Sequence, residues 1–301
     1  MSNDDSWTES SGTSAQQKPP AHQRSIFSLP PTVKRIFDKF PLVTYEANPL
    51  PIRSPKNREE HVLHVFGSEE GVREGRPSFN PGCLRWQTFL KLAGVEFKTV
   101  ASNNHASPSG VLPFLLPAAQ DGKAQEPVPA GNKMKKWVVK EGKKVEESSD
   151  LRVEAYMALI EGRVRKAWLY QLYLTPQNSD LVRKLYVSPC SRMPLVQMTI
   201  ASHLRSAAEA ELIKSAGTNV VSALDLIRDA EEALHALSQL LGEGEWFFGQ
   251  SRPGFFDATV FAYTHLILDD ALGWKQNELK DALGKHANLV RHRERIREMY
   301  Y

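Results

Sequence analysis

Between Cys83 and Leu116 the chain alternates between two apolar periods, and that alternation predicts its elements. In CLRWQTFLKLAG, the residues Leu84, Phe89, Leu90, Leu92 and Ala93 recur at three- and four-residue spacing with Trp86 alongside, which predicts a helix with one buried stripe. Gly94 supplies the left-handed residue that ends it. From Val95 to Val100 the period drops to two, which predicts a strand with one buried face. A Ser/Asn/Pro/Gly loop follows, and then Val111 to Leu116, an apolar strand interrupted early by Pro113. Upstream, His61 to Phe66 alternates well enough to be a first strand.

Strand, helix, strand, loop and proline-led strand is the order of a thioredoxin-like domain. In that fold the proline follows a cis bond, so the Leu112–Pro113 bond is expected to be cis. From Asp150 onward the pattern is helical throughout. Val153, Tyr156, Met157, Ile160, Val164, Ala167 and Trp168 form one stripe, and Leu195, Ala201, Leu204, Ala208 and Leu212 form a second behind Pro194. A third runs through Val220, Leu224, Ile227, Leu234, Leu237 and Leu241. Phe255 to Leu268 is apolar on nearly all sides, as the central helix of a bundle must be. The expected division is an N-terminal extension over 1–58, a thioredoxin-like part with a basic insertion over 59–149, and an all-helical part over 150–301.

The extension begins Ser/Gln/Pro-rich and nearly without apolar residues, which predicts disorder to about Ser25. Val33, Ile36, Phe37 and Phe40 then occupy i, i+3, i+4 and i+7 between bracketing prolines, a short amphipathic helix. Packing on its own domain is favoured for that stripe, with membrane or partner docking as the other reading. A second segment of interest holds Lys133, Lys135, Lys136, Lys140, Lys143 and Lys144, offset between its ends by Glu141 alone. A solvated hairpin edge is the favoured reading there, and attraction to an anionic surface the functional one. A third is the basic helix carrying Arg291, Arg293, Arg295 and Arg297.

Composition excludes several classes. The 301 residues, 41% apolar, suffice for two ordinary cores, and a net charge of +3 is too mild to suggest nucleic-acid binding. Cys83 and Cys190 have no CxxC or metal-ligand spacing, which fits free thiols in a reducing compartment. No apolar run approaches a membrane-spanning length; Phe255 to Leu268 is too short and carries Asp257 and His265. The acidic, polar first residues match neither a secretory signal nor an arginine-rich presequence. Histidine spacings give no metal motif, and no phosphate loop is present.

The residues themselves select a family. Ser78, Pro81-Gly82-Cys83-Leu84, Phe89 to Phe97 and Ser107 to Phe114 resemble the metaxins, which share the glutathione-transferase fold without being catalytic. Ala155 to Glu161, Ala167 to Tyr170, and Trp246-Phe247-Phe248-Gly249 followed by Pro253 and Asp257 to Phe261 continue the likeness in the right order. The resemblance implies a glutathione-transferase-like fold, α/β plus all-α, with no cofactor. It implies a peripheral subunit of the sorting and assembly machinery, on the cytosolic face of the mitochondrial outer membrane. Its implied partners are a membrane-embedded β-barrel core subunit, a second metaxin-like subunit and β-barrel precursors. The absence of a C-terminal apolar anchor favours the smaller, anchor-less type of subunit.

The alternative is a divergent glutathione transferase or glutathione-binding protein, and it needs an activating hydroxyl or thiol just after the first strand. Ser68, Ser78 and Cys83 qualify by type only. Cys83 stands near a helix start, where N–H groups lower a thiol pKa, but a half-buried structural cysteine is the favoured reading. Glu147-Ser148 echoes the superfold's γ-glutamyl-binding pair, separated from Pro113 by the basic insertion. Asp257 sits at N3 behind Gly254, placed to accept the N-cap N–H, and a structural role is expected for it, as for Pro113 and Gly249. On the cap alone its loss would cost on the order of 1 kcal/mol.

Overall fold

The computed structural model describes residues 58–141, 148–216 and 220–301. Its first strand, β1 (His61–Val65), is followed by a short helix α1 (Glu69–Arg73) and the long helix α2 (Pro81–Leu92). Two local signals start α2: Pro81 occupies its first turn, and the Asn80 side chain accepts the Cys83 N–H at 3.1 Å. Gly94, at φ +68°, ends it. The Val95 N–H reaches back to the Leu90 carbonyl and the Gly94 N–H to that of Lys91, a Schellman closure that satisfies the last carbonyls. Val95 is used in that closure, and β2 starts two residues later than the alternation predicts, at Phe97–Ala101.

β3 (Phe114–Leu116) and β4 (Val128–Pro129) complete a sheet of order β2–β1–β3–β4. β1 and β2 are parallel, with His61 opposite Phe97; β3 runs antiparallel to β1 and to β4. This is the thioredoxin-like mixed sheet. The Leu112–Pro113 bond is cis, and the three residues before β3 lie outside the strand, leaving Val111 60% exposed.

Lys133, Lys135, Lys136 and Lys140 lie on a helix, α3 (Asn132–Lys140), which corrects the expected hairpin edge there; Lys143 and Lys144 lie outside the described residues. Met134, Trp137 and Val138, at i, i+3 and i+4, are buried against the sheet. Three apolar anchors at helical spacing outweigh the lysines, of which Lys133, Lys136 and Lys140 are exposed and cost nothing in a solvated helix face.

The helical part opens with α4 (Arg152–Leu159) and α5 (Arg165–Leu169), each continued by a π-helical segment, Ile160–Val164 and Tyr170–Leu174. α6 (Ser179–Val182) also runs into a π segment, Arg183–Val187. Then come α7 (Pro194–Ala216), α8 (Ala223–Leu241), α9 (Phe255–Leu268), α10 (Glu278–Gly284) and α11 (Ala287–Tyr300). α9 is the central element, with Phe256 to Ile267 buried without a break. Two of the predicted stripes end early: Leu195 at the start of α7 is 76% exposed, and Leu224 in the first turn of α8 is 77% exposed.

The two cores meet along α2 and α9. Leu84 of α2 packs into the helical core, and Ala258 of α9 packs into the sheet core. Phe255 lies across Trp86 and Phe89, with ring centroids 4.8 and 5.2 Å apart. Aromatic contacts at these distances add to the area they bury.

Candidate functional site

A cleft of about 280 Å³ opens where α2 begins, bounded by the cis-proline loop and by the helix that carries Glu161, Arg165 and Tyr173. The polar side chains near this point bond to neighbouring backbone. Ser78 donates its hydroxyl to the Phe66 carbonyl at 2.5 Å and accepts the Asn80 N–H. Ser68 caps α1 by accepting the Gly71 N–H at 3.0 Å. Asn104 covers the cis-proline loop: its side-chain oxygen accepts the Leu112 N–H at 3.0 Å.

Cys83 is fully buried rather than half-buried, because α2 turns it into the sheet core. Burial pushes its thiol up to about 12, against the smaller pull of the Phe66 N–H and of Ser78. Tyr173 is pushed up to about 12 in the same way. Neither group ionises near neutral pH. In thiol labelling of the native protein, exposed Cys190 is therefore expected to react and Cys83 to react only after unfolding. Two fast-reacting thiols would overturn this assignment.

The cleft wall is an ion-pair chain. Arg85 binds Glu161 at 2.6 Å, and Arg165 contacts both Glu161 and Glu211. The π segments place these groups: each widens one turn and rotates the residues beyond it, a common feature of functional sites. Asn80 donates to the Tyr186 hydroxyl at 3.2 Å, linking the start of α2 to the third π segment. Sequence reasoning missed Arg85, Glu161, Arg165, Tyr173 and Tyr186. Pairs such as Arg85–Glu161, 76 residues apart, leave no local signal.

Asp257 is a separate node behind the cleft. One carboxylate oxygen accepts the Gly254 N–H at 2.9 Å, and the other accepts the Phe247 N–H at 3.1 Å. His292 Nε2 lies 2.9 Å from that second oxygen, and both side chains are buried. Gly249 takes φ +65° beside Phe248, a non-glycine residue also held left-handed at φ 58°. That turn presents the Phe247 N–H to Asp257.

The residues predicted for partner or membrane contact do not share one face. Lys133 and Lys136 are exposed on α3, whereas the ammonium of Lys135 sits 4.1 Å from the Phe255 ring centroid. Arg291 is exposed. Arg293 is corrected as a contact residue: it is only 8% exposed, because α11 turns that side toward the core with His292 and Ile296. Arg295 donates to the Glu245 carbonyl at 2.7 Å and lies over Trp246. Val33, Ile36, Phe37 and Phe40 lie outside the described residues, as does Glu147; Ser148 accepts the Asp150 N–H. Among the described residues, no helix is long and apolar enough to cross a membrane.

Known proteins match over most of this architecture. The model of the glutathione S-transferase N-terminal domain matches residues 81–178, and that of the C-terminal domain matches 230–296. The chain is 28% identical to metaxin-3 of Xenopus laevis over 206 residues, 67% of this chain and 64% of that protein. The match thus spans a little less than two thirds of that relative's length. Human metaxin-2 is 26% identical over 227 residues, covering 74% of this chain and 83% of the relative. Mouse metaxin-1 is 28% identical over 251 residues, with 75% and 72% covered.

Proposed function

Because this chain belongs to the metaxin family, we propose that it is a non-catalytic, peripheral subunit of the sorting and assembly machinery of the mitochondrial outer membrane. In this reading it supports insertion of β-barrel precursors through protein contacts, held by a membrane-embedded barrel subunit and a second metaxin-like subunit. The observation that carries the non-catalytic part is the internal use of the transferase-type donors. Ser78 and Ser68 bond to their own backbone neighbours, Asn104 takes the N–H beside the cis-proline, and Cys83 is buried with its pKa raised. The two guanidinium groups that line the cleft, Arg85 and Arg165, are held by Glu161 and Glu211. The contact surface would include Lys133, Lys136 and Arg291, with the segment holding Val33 to Phe40 as a further candidate.

The test is affinity purification of the tagged full chain from gently solubilised mitochondria. Co-isolation of an outer-membrane barrel protein, with no retention of the chain on immobilised glutathione, is expected. Retention on glutathione without a barrel partner would overturn the proposal in favour of a glutathione-binding protein.

A further inference from the structure

The first turns of α7 project from the helical part as a basic and apolar tip that the fold leaves uncovered. Gln197, Ile200, Ala201 and Leu204 form its half-buried face, continued by buried Ala208 and Leu212. Opposite them, Leu195, Met198, Ser202 and Arg205 follow at i, i+3, i+7 and i+10, one outward stripe. Leu195 is 76% exposed, Met198 63%, and Met193 just before the helix 64%. Scattered single apolar residues on a surface are ordinary, but three large ones within six positions are not.

The segment that leads into this tip, between Asp180 and Glu209, carries charge of one sign. From Leu181 to Ala208 there is no aspartate or glutamate, while Arg183, Lys184, Arg192 and Arg205 all occur there. Arg183, Arg192 and Arg205 are exposed, and none of them has an ion-pair partner among the described residues. Long, flexible apolar side chains together with unpaired arginines match a surface with an anionic face over a hydrocarbon interior.

We propose that the start of α7 is a lipid-contact site. Met193, Leu195 and Met198 enter the headgroup boundary of an anionic bilayer, and Arg183, Arg192 and Arg205 bind its phosphates. The proposal rests on the reading that this chain works at a membrane, and it adds which side faces the lipid. The contact is shallow and screened by salt, so it orients a subunit whose residence a protein partner secures. From Leu181 to Ala208 no acidic residue is present within the segment to pair these arginines, and lipid phosphates can do so.

The full chain carrying Leu195→Trp would be mixed with vesicles of phosphatidylcholine alone, or of phosphatidylcholine with phosphatidylglycerol, some containing brominated acyl chains. Binding to the anionic vesicles only, weakened by salt, with bromine quenching that exceeds that of the parent chain, is expected. Each arginine near such a surface contributes about fivefold, so Arg183→Gln/Arg192→Gln/Arg205→Gln should lose on the order of a hundredfold in partitioning. An unchanged thermal midpoint would show that this variant is folded. Vesicle binding with no quenching beyond the parent's, equal binding to neutral vesicles, or no binding would each overturn the site. So would burial of position 195 by a purified barrel subunit in detergent, which would make the tip a protein interface. Co-isolation of a barrel partner does not depend on any of these outcomes, so the two readings fail separately.

Discussion

Asp257→Ala is expected to lower the unfolding free energy by about 4 kcal/mol, well above the roughly 1 kcal/mol that a helix cap alone supplies. The carboxylate has three buried partners: the N–H groups of Gly254 and Phe247, and the ring of His292. Removing it strands all three where water does not reach. A buried donor left without an acceptor costs about 1–3 kcal/mol, and losing a hydrogen bond to a charged group about 1.5–3 kcal/mol. These figures overlap, so their sum overstates the loss. Asp257→Asn keeps one acceptor oxygen but turns an amide toward another donor, and should fall between the two. In a cycle with His292→Ala, the double variant should lose clearly less than the sum of the singles. Urea unfolding of the four proteins decides it. A loss near 1 kcal/mol with additive singles would reduce Asp257 to a simple cap.

The same residue shows what the sequence made legible. The Asp257–Gly254 contact is local, fixed by a three-residue spacing at a helix start, and could be read directly. The His292 contact closes a loop of 35 residues and left no trace in either segment. Helix α2 was legible for the same local reason: Asn80-Pro81 opens it, Gly94 closes it, and an apolar stripe lies between. At α3, lysine composition obscured the apolar spacing of Met134, Trp137 and Val138, and composition was given too much weight. Arg293 and Leu195 failed in opposite directions. A period gives the face of a helix on which a residue lies, but not whether another element covers that face. The π segments were invisible because the apolar stripe continues through them.

Acidification should destabilise the protein strongly, through two histidines that fold in neutral form. His265, on α9 and stacked on Phe261 at 5.1 Å, is pushed down to about 3 by burial, with Arg293 and Arg297 adding to the shift. His64, on β1 and stacked on Phe114 at 4.4 Å, is pushed down to about 4 by burial and by Arg58. In the unfolded chain both take a proton near the ordinary value of 6.5. Below that pH the unfolded state therefore binds more protons than the native state, and stability falls as pH falls. Above it both states are neutral at these sites, and the contribution is complete. The slope is about 1.4 kcal/mol per pH unit for each group once its unfolded form is fully protonated. From about pH 7.5 to about pH 4.5, His265 gives roughly 3 kcal/mol; His64, partly exposed and better screened, gives less. Together they cost about 4 kcal/mol, a large share of the roughly 5–15 kcal/mol typical of a native protein. His286, also lowered by burial, is half-buried and adds to the same trend. Urea titrations at steps between about pH 7.5 and 4.5 measure the slope directly, and His265→Phe should flatten it by about 1.4 kcal/mol per unit at the acid end. If the variant and its parent lose stability in parallel over that window, His265 is not the group that takes up the proton.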